Sequence, residues 1–306
     1  MRVLVTGAGG FLGGHIARRL AEAGFEVIAT TRASPVEPPE SPAAARRFHT
    51  LTVDLARGAL LPGTEAVVHA AATSAWADIS IDQMLADNVV ATRALVRHAL
   101  AAKAAAFVFF SSISAFGTVR VPLLTEAEPS VNVDAYGMTK LLGEKLLQDC
   151  AGTLPSLSIR LPAVIGRGSK RNWPSEALRK LKAGEPLDYF NPEAPFNNVV
   201  HERDIAALVA AALERGLGGT DMVVAGAAGR TTIAEAVRAL VETTGSSSPV
   251  TTQIRDRGAF LIDVRDDHLA IVFYLSTSSL NKIRRGDCSG NRRATRQETA
   301  PADPVR

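Results

Sequence analysis

Through the first half of the chain, short apolar and β-branched runs alternate with longer stretches in which apolar residues recur at helical spacing. The runs at 3–6, 26–30, 48–53, 66–69, 107–110 and 157–160 are short enough, and rich enough in Val, Ile and Phe, to be buried strands. Between them Leu12, Ile16 and Leu20 repeat every four residues, and Leu85, Val89, Thr92, Val96 and Ala99 repeat at four and three, which lays one apolar stripe along each of two helices. Gly24 stands where a helix C-terminus prefers glycine. Strand–helix–strand alternation predicts parallel pairing through right-handed crossovers, hence an α/β fold with a doubly wound parallel sheet.

Beyond Gly166 the pattern loosens. Pro174, Gly184, Pro186, Pro192 and Pro195 cut the chain into short pieces before a helical run at 204–213, a strand at 222–225, a helix at 233–242 and a strand at 260–264. This divides the chain into a large domain, residues 1–165 plus about 198–224, and a smaller C-terminal lobe, about 166–197 plus 225–275. Residues 276–306 carry Asn, Ser, Arg and Asp without periodicity and are expected to be a disordered tail, since they offer too little apolar surface to offset the entropy of ordering.

A length of 306 residues with 46% hydrophobic and 21% charged residues fits an ordinary globular protein. The net charge of +3 hints at an anionic partner until its position is considered. The tail alone carries +4, with seven Lys or Arg against three Asp or Glu, so the remainder sits near −1 and presents no basic footprint for nucleic acid. Cys150 and Cys288 are far apart and lack metal-ligand spacing, so neither a disulfide framework nor a metal site is expected. With no leader-like or membrane-length apolar segment, a cytoplasmic protein is expected.

The first strand runs directly into Thr6-Gly-Ala-Gly-Gly-Phe-Leu-Gly13 and then into the first helix. Gly7, Gly10 and Gly13 suit a turn in which any Cβ would block both the tight bend and the approach of a pyrophosphate to the free N–H groups of the helix start, with Phe11 and Leu12 inside the same turn. In this context the sheet is expected to be a Rossmann fold binding a dinucleotide, with the smaller lobe holding substrate. A ribose-binding carboxylate is expected about 20 residues on, yet the second strand ends Ala29-Thr30-Thr31-Arg32. A guanidinium there suits a 2′-phosphate, so NADP(H) is favoured and NAD(H) is the alternative; an ordinary surface arginine would read the same way. Asp54, at the tip of the third strand, can reach an adenine amino group or cap a turn.

The buried run Phe109-Phe110 stops at Ser111-Ser112, and Tyr136-Gly-Met-Thr-Lys140 follows. Tyr and Lys four apart on a helix share a face, which places an ammonium beside a phenol that otherwise titrates near 10 and lowers it toward neutrality. Ser112 would then bond the substrate oxygen.

In these motifs the chain resembles the extended short-chain dehydrogenases/reductases of the NAD(P)-dependent epimerase/dehydratase kind. The resemblance spans about residues 1–265 and includes Val53-Asp54-Leu55, His69-Ala70-Ala71, Asn88-Val89, Thr125-Glu126, Arg160-Leu-Pro162 through Gly166, and His201 through Asp204. It implies that Ser112, Tyr136 and Lys140 are catalytic. It also implies that Gly7, Gly10, Gly13, Asp54 and Leu55 bind cofactor and that Ala70 and Ala71 flank it. Asn88 falls near the cofactor or kinks its helix, and the helices of Asn88 and Tyr136 imply a homodimer contact. Two departures narrow the chemistry: Ile113-Ser114 stands where 4,6-dehydratases carry an acidic pair, and Ala163 and Pro195-Phe196-Asn197-Asn198 stand where UDP-sugar epimerases carry asparagine and arginine. The expected activity is hydride transfer between nicotinamide and a carbonyl or alcohol, the small-molecule substrate being a carbonyl compound or a nucleotide sugar. The alternatives are an NAD-dependent nucleotide-sugar epimerase and a non-catalytic NADP-sensing protein.

Overall fold

The computed structural model describes residues 1–57, 61–74, 78–229, 231–255 and 258–264, so the tail expected at 276–306 lies outside the described residues. In chain order the first half contains β1 (Arg2–Thr6), α1 (Phe11–Glu22), β2 (Glu26–Thr31), α2 (Pro42–Ala45), β3 (Phe48–Thr52), β4 (Ala66–His69), α3 (Ile81–Leu85), α4 (Ala91–Ala101) and β5 (Ala106–Ser112). The second half contains β6 (Leu123–Leu124), α5 (Ala135–Gln148), β7 (Ser156–Leu161), β8 (Ala163–Ile165), α6 (Trp173–Ala183), β9 (Leu187–Phe190), β10 (Val199–His201) and α7 (Glu202–Arg215), then β11 (Thr220–Val224), α8 (Ile233–Thr244), β12 (Val250–Gln253) and β13 (Leu261–Ile262).

Seven strands form one parallel sheet in the order β11-β7-β5-β4-β1-β2-β3, which is the doubly wound Rossmann arrangement expected. Every strand expected in this sheet is present, with ends moved by a residue or two. The strands read as continuous apolar runs because both faces are covered. Val3 and Val5 join Ile16 and Leu20 of α1 and Ile205 and Val209 of α7 on one face, while Leu4, between them, joins Leu95 and Val96 of α4 and Leu147 of α5 on the other. Val108 and Phe110 against Phe107 and Phe109 repeat this alternation in β5. Gly24, at φ +100°, releases the chain from α1 toward β2.

The apolar repeat from Leu85 to Ala99 is helical, but residues Ala86–Val90 form a π turn joining α3 to α4. Sequence periodicity does not register this one-residue widening. Outside the seven-stranded sheet, α6 and α8 bury Ala177, Leu181, Val237 and Leu240 together with Leu187, and the short pairs β8–β10, β9–β12 and β6–β13 join distant segments.

Candidate functional site

The order of the sheet reverses at β1, whose neighbours β4 and β2 lead off in opposite directions, so a crevice opens outside the C-terminal ends of β1 and β4. The glycine turn sits in it. Gly7 lies at φ +69°, and a Cβ there would stand 2.7 Å from the Ala71 backbone. A Cβ at Gly13 would stand 2.3 Å from the Gly7 carbonyl oxygen, so α1 starts hard against β1 only because both positions are glycine. Gly10 is different: an added Cβ meets only the Gly7 carbonyl, at 3.2 Å. Gly10 caps α1 without a side-chain bond, leaving the first N–H groups of the helix, those of Phe11 and Leu12, to a ligand.

The cavity here has a volume of about 390 Å³ and is lined by the glycine turn, the ends of β2, β3 and β4, and the π turn. Gly7, Gly10, Arg32, Asp54, Leu55, Ala70 and Ala71 all line it. Phe11 and Leu12 form the first turn of α1, and Gly13 is buried beneath. A glycine cradle opening on an uncapped helix N-terminus, next to a cavity of this size, fits a dinucleotide. Asp54 holds the Ala56 N–H at 3.1 Å and lies 3.3 Å from Arg57, so its turn-capping role is realised. Sequence reasoning missed Gly9, Thr73 and Asp87, which line the same cavity. Gly9 was legible in principle as the fourth glycine of the run; Thr73 and Asp87 carry no local signature.

Arg32 is not an open cation. Its guanidinium donates to Asp87 at 2.8 Å, and the same carboxylate accepts from Thr73 Oγ1 at 2.5 Å and Gln83 Nε2 at 2.8 Å. Burial works against the ionised form of Asp87, but the hydrogen bonds from Thr73, Arg32 and Gln83 outweigh it and hold the carboxyl below its usual range.

Behind the turn runs a buried polar chain. Thr92 Oγ1 donates to the Asn88 carbonyl at 2.5 Å, so it accepts from His69 Nε2–H at 2.8 Å, which leaves His69 Nδ1 to accept from Thr6 Oγ1 at 2.7 Å. Burial, helped by Lys140, lowers His69 to about 3 and keeps the ring neutral. Asn88 is buried in the π turn; its side chain receives the Thr73 N–H at 2.7 Å and donates to Thr139 Oγ1 at 3.0 Å. Asn88 thus couples the crevice to α5 and occupies the helix irregularity.

Lys140 is buried with α5 against β5. Its Nζ donates to the Phe110 carbonyl at 2.9 Å and lies 5.6 Å from the Tyr136 ring centroid. Burial brings the ammonium down to about 8 against the pull of Glu144. The Tyr136 phenol, expected to be lowered by this ammonium, is instead pushed up to about 12 by its burial and by Asp134. The physical reason is the packing of α5: the phenol is buried beside the Asp134 carboxylate, while the Lys140 ammonium donates to the Phe110 carbonyl. Ser112 Oγ accepts the Ser114 N–H at 3.1 Å, and such a hydroxyl can still donate outward. Asn197, in the segment that departs from the UDP-sugar pattern, spends its amide on the backbone N–H and C=O of Ile262, each at 2.8 Å. Among the described residues no cluster of His, Cys, Asp or Glu could hold a metal ion, and no helix is long and apolar enough to cross a membrane.

Residues 3–225 match the NAD dependent epimerase/dehydratase family. The chain is 30% identical over 231 residues to the D-erythronate dehydrogenase of Cupriavidus necator, covering 68% of this chain and 71% of that one. It is 26% identical over 286 residues to the UDP-glucose 4-epimerase of Azospirillum brasilense, covering 84% and 81%. The UDP-glucuronic acid 4-epimerase from Bacillus cereus, solved in complex with NAD, shares the fold with a TM-score of 0.76 at 21% identity, over 92% of this chain and 96% of that one.

Proposed function

The chain belongs to the NAD dependent epimerase/dehydratase family and is an NAD(P)-dependent enzyme of the oxidoreductase/epimerase kind; on that premise we propose that it reduces a carbonyl compound to an alcohol, or runs the reverse, with NADP(H) preferred to NAD(H). The cofactor, when bound, supplies or accepts the hydride. Ser112 holds the substrate oxygen through its hydroxyl, and Tyr136 gives or takes the proton at that oxygen. Lys140, 5.6 Å from the tyrosine ring centroid, anchors α5 to β5 through the Phe110 carbonyl.

The observation that carries the reading is that the uncapped glycine turn after β1 and Ser112 at the end of β5 both lie at the C-terminal ends of the parallel strands, with Tyr136 and Lys140 in the first half of α5, which packs on β5. Burial and Asp134 hold the Tyr136 phenol up at about 12, so it is protonated at neutral pH and stands in the donor form. Preference for NADP(H) is supported by Arg32 in the cavity and by a second strand that ends without a carboxylate. The relatives' names point to polyhydroxylated substrates, a sugar acid or a nucleotide sugar.

A second reading is favoured by the epimerases in the comparison, one of them solved with NAD bound: a retained NAD reduced and reoxidised within one turnover. Exposed Ile81 and Leu85 on α3, with Met138 and Leu142 on α5, support a homodimer contact. The cytoplasm is the compartment in keeping with this chemistry.

The test is the cofactor balance. Protein purified without bound cofactor that consumes NADPH in equal amount to a carbonyl substrate supports the reductase. Protein that retains NAD and interconverts sugar nucleotides with no net consumption replaces it with the epimerase.

A further inference from the structure

We propose that Asp87 is a specificity-determining residue: by holding the Arg32 guanidinium it restrains the preference for a 2′-phosphorylated dinucleotide. The inference rests on the reading that Arg32 meets the 2′-phosphate.

The two side chains come from elements 55 residues apart, the end of β2 and the π turn, and both line the cofactor cavity beside Ala33, Ser34 and Asp54. Their environments are unequal: the Asp87 side chain is 8% exposed, that of Arg32 58%. The carboxylate cannot swing aside, because Thr73 and Gln83 hold its two oxygens from separate segments. The guanidinium is the exposed partner, held to Asp87 through Nη1.

A phosphate reaching Arg32 therefore meets a cation already paired with a fixed anion. Attraction by the guanidinium is partly cancelled by repulsion from Asp87, whereas the neutral 2′-hydroxyl of NAD(H) feels neither strongly. Asp87 thus weakens NADP(H) selectively and leaves NAD(H) alone. One unit charge across a guanidinium, screened near the surface, is worth about 3- to 10-fold in binding.

Calorimetric titration of NADPH and NADH into the full chain tests this without turnover. Arg32→Ala is expected to weaken NADPH about 10- to 100-fold and NADH by less than about twofold. Asp87→Asn, which keeps the shape and removes the charge, is expected to tighten NADPH about 3- to 10-fold with NADH unchanged, and the gain should shrink in high salt. Asp87→Ala should move NADPH in the same direction, which guards against a folding defect peculiar to one variant.

Weaker NADPH binding in both Asp87 variants would show that the carboxylate is needed to place Arg32. Equal losses for the two cofactors would make its role structural, and a loss confined to NADH would make it a ribose ligand. Each overturns the proposal. An Arg32→Ala variant with an unchanged NADPH to NADH ratio overturns the cofactor reading itself; a changed ratio there with an unchanged one in the Asp87 variants overturns only the restraint.

Discussion

Removing the Glu144 carboxylate should destabilise the protein far more than an average substitution, because it strands a buried cation under the helix that carries Tyr136 and Lys140. Glu144 and Arg160 are 5% and 6% exposed. Glu144 Oε1 accepts from Arg160 Nε at 2.9 Å and from Ser111 Oγ at 2.5 Å, and its Oε2 accepts from Arg160 Nη2 at 2.7 Å. One carboxylate therefore ties α5 to β5 and β7. In Glu144→Ala the guanidinium keeps, among the described residues, the Phe116 ring, 4.2 Å from its central carbon, as a partner for its charge. Three charge-assisted bonds at about 1.5–3 kcal/mol each are lost, offset by the relief of desolvating the carboxylate; broken buried pairs of this kind cost about 3–5 kcal/mol. For a chain of this size that lowers Tm by about 6–20 °C. The assay is a thermal and urea melt of wild type, Glu144→Ala, Arg160→Met and the Glu144→Leu/Arg160→Met double variant. The double variant removes both charges of the pair and should recover most of the loss, with a coupling of at least about 2 kcal/mol. A single-variant cost below about 1 kcal/mol, or a double variant no better than the singles, would refute the reasoning.

Tyr136→Phe should lower turnover about 10²- to 10⁴-fold while cofactor affinity measured by titration stays the same, since the ring remains and only the transferred proton is lost. His69, neutral when folded and lowered to about 3, favours folding fully above its unfolded value near 6.5 and loses that contribution as pH falls toward 3. Urea melts should therefore show about 2 kcal/mol less stability at pH 5 than at pH 7 from this residue, a difference that His69→Gln removes. Gly143→Ala should cost about 1–3 kcal/mol, because its Cβ would stand 2.4 Å from the Phe109 ring, and Phe109→Leu should recover part of it. Leu142→Asp should shift light-scattering mass to the monomer if the exposed face of α3 and α5 joins two copies.

The strands and glycines were legible because their signals are local. A strand covered on both faces must be apolar throughout, and Gly7 and Gly13 have no alternative residue that avoids a backbone clash. Tyr136 and Lys140 were legible through a four-residue spacing that any helix converts into a shared face. What that spacing does not contain is direction. It brings the ammonium toward the ring, but the Phe110 carbonyl to which that ammonium donates belongs to β5, thirty residues earlier, and the burial that raises the phenol with Asp134 is set by the packing of α5.

The partner of Arg32 was hidden for the same reason at longer range. Read along β2 it is a cation without an acid, and a carboxylate at the strand end is indeed absent; the acid arrives from Asp87, 55 residues away. The π turn is what makes this arrival fit. One residue of widening between α3 and α4 aims Asn88 at the Thr73 backbone and at α5, while its neighbour Asp87 faces the cavity and Arg32. A regular helix puts successive residues about 100° apart, so the two roles need adjacent positions with a common anchor, and Thr73 provides it by donating its N–H to Asn88 and its hydroxyl to Asp87. The cavity wall at Asp87 and the link from Asn88 to α5 thus share a single threonine. Thr73→Val, which keeps the N–H and removes the hydroxyl, should loosen Asp87 while leaving Asn88 in place. Cofactor selectivity should move and turnover with saturating cofactor should not; a fall in turnover instead would mean that the two halves of the anchor cannot be separated.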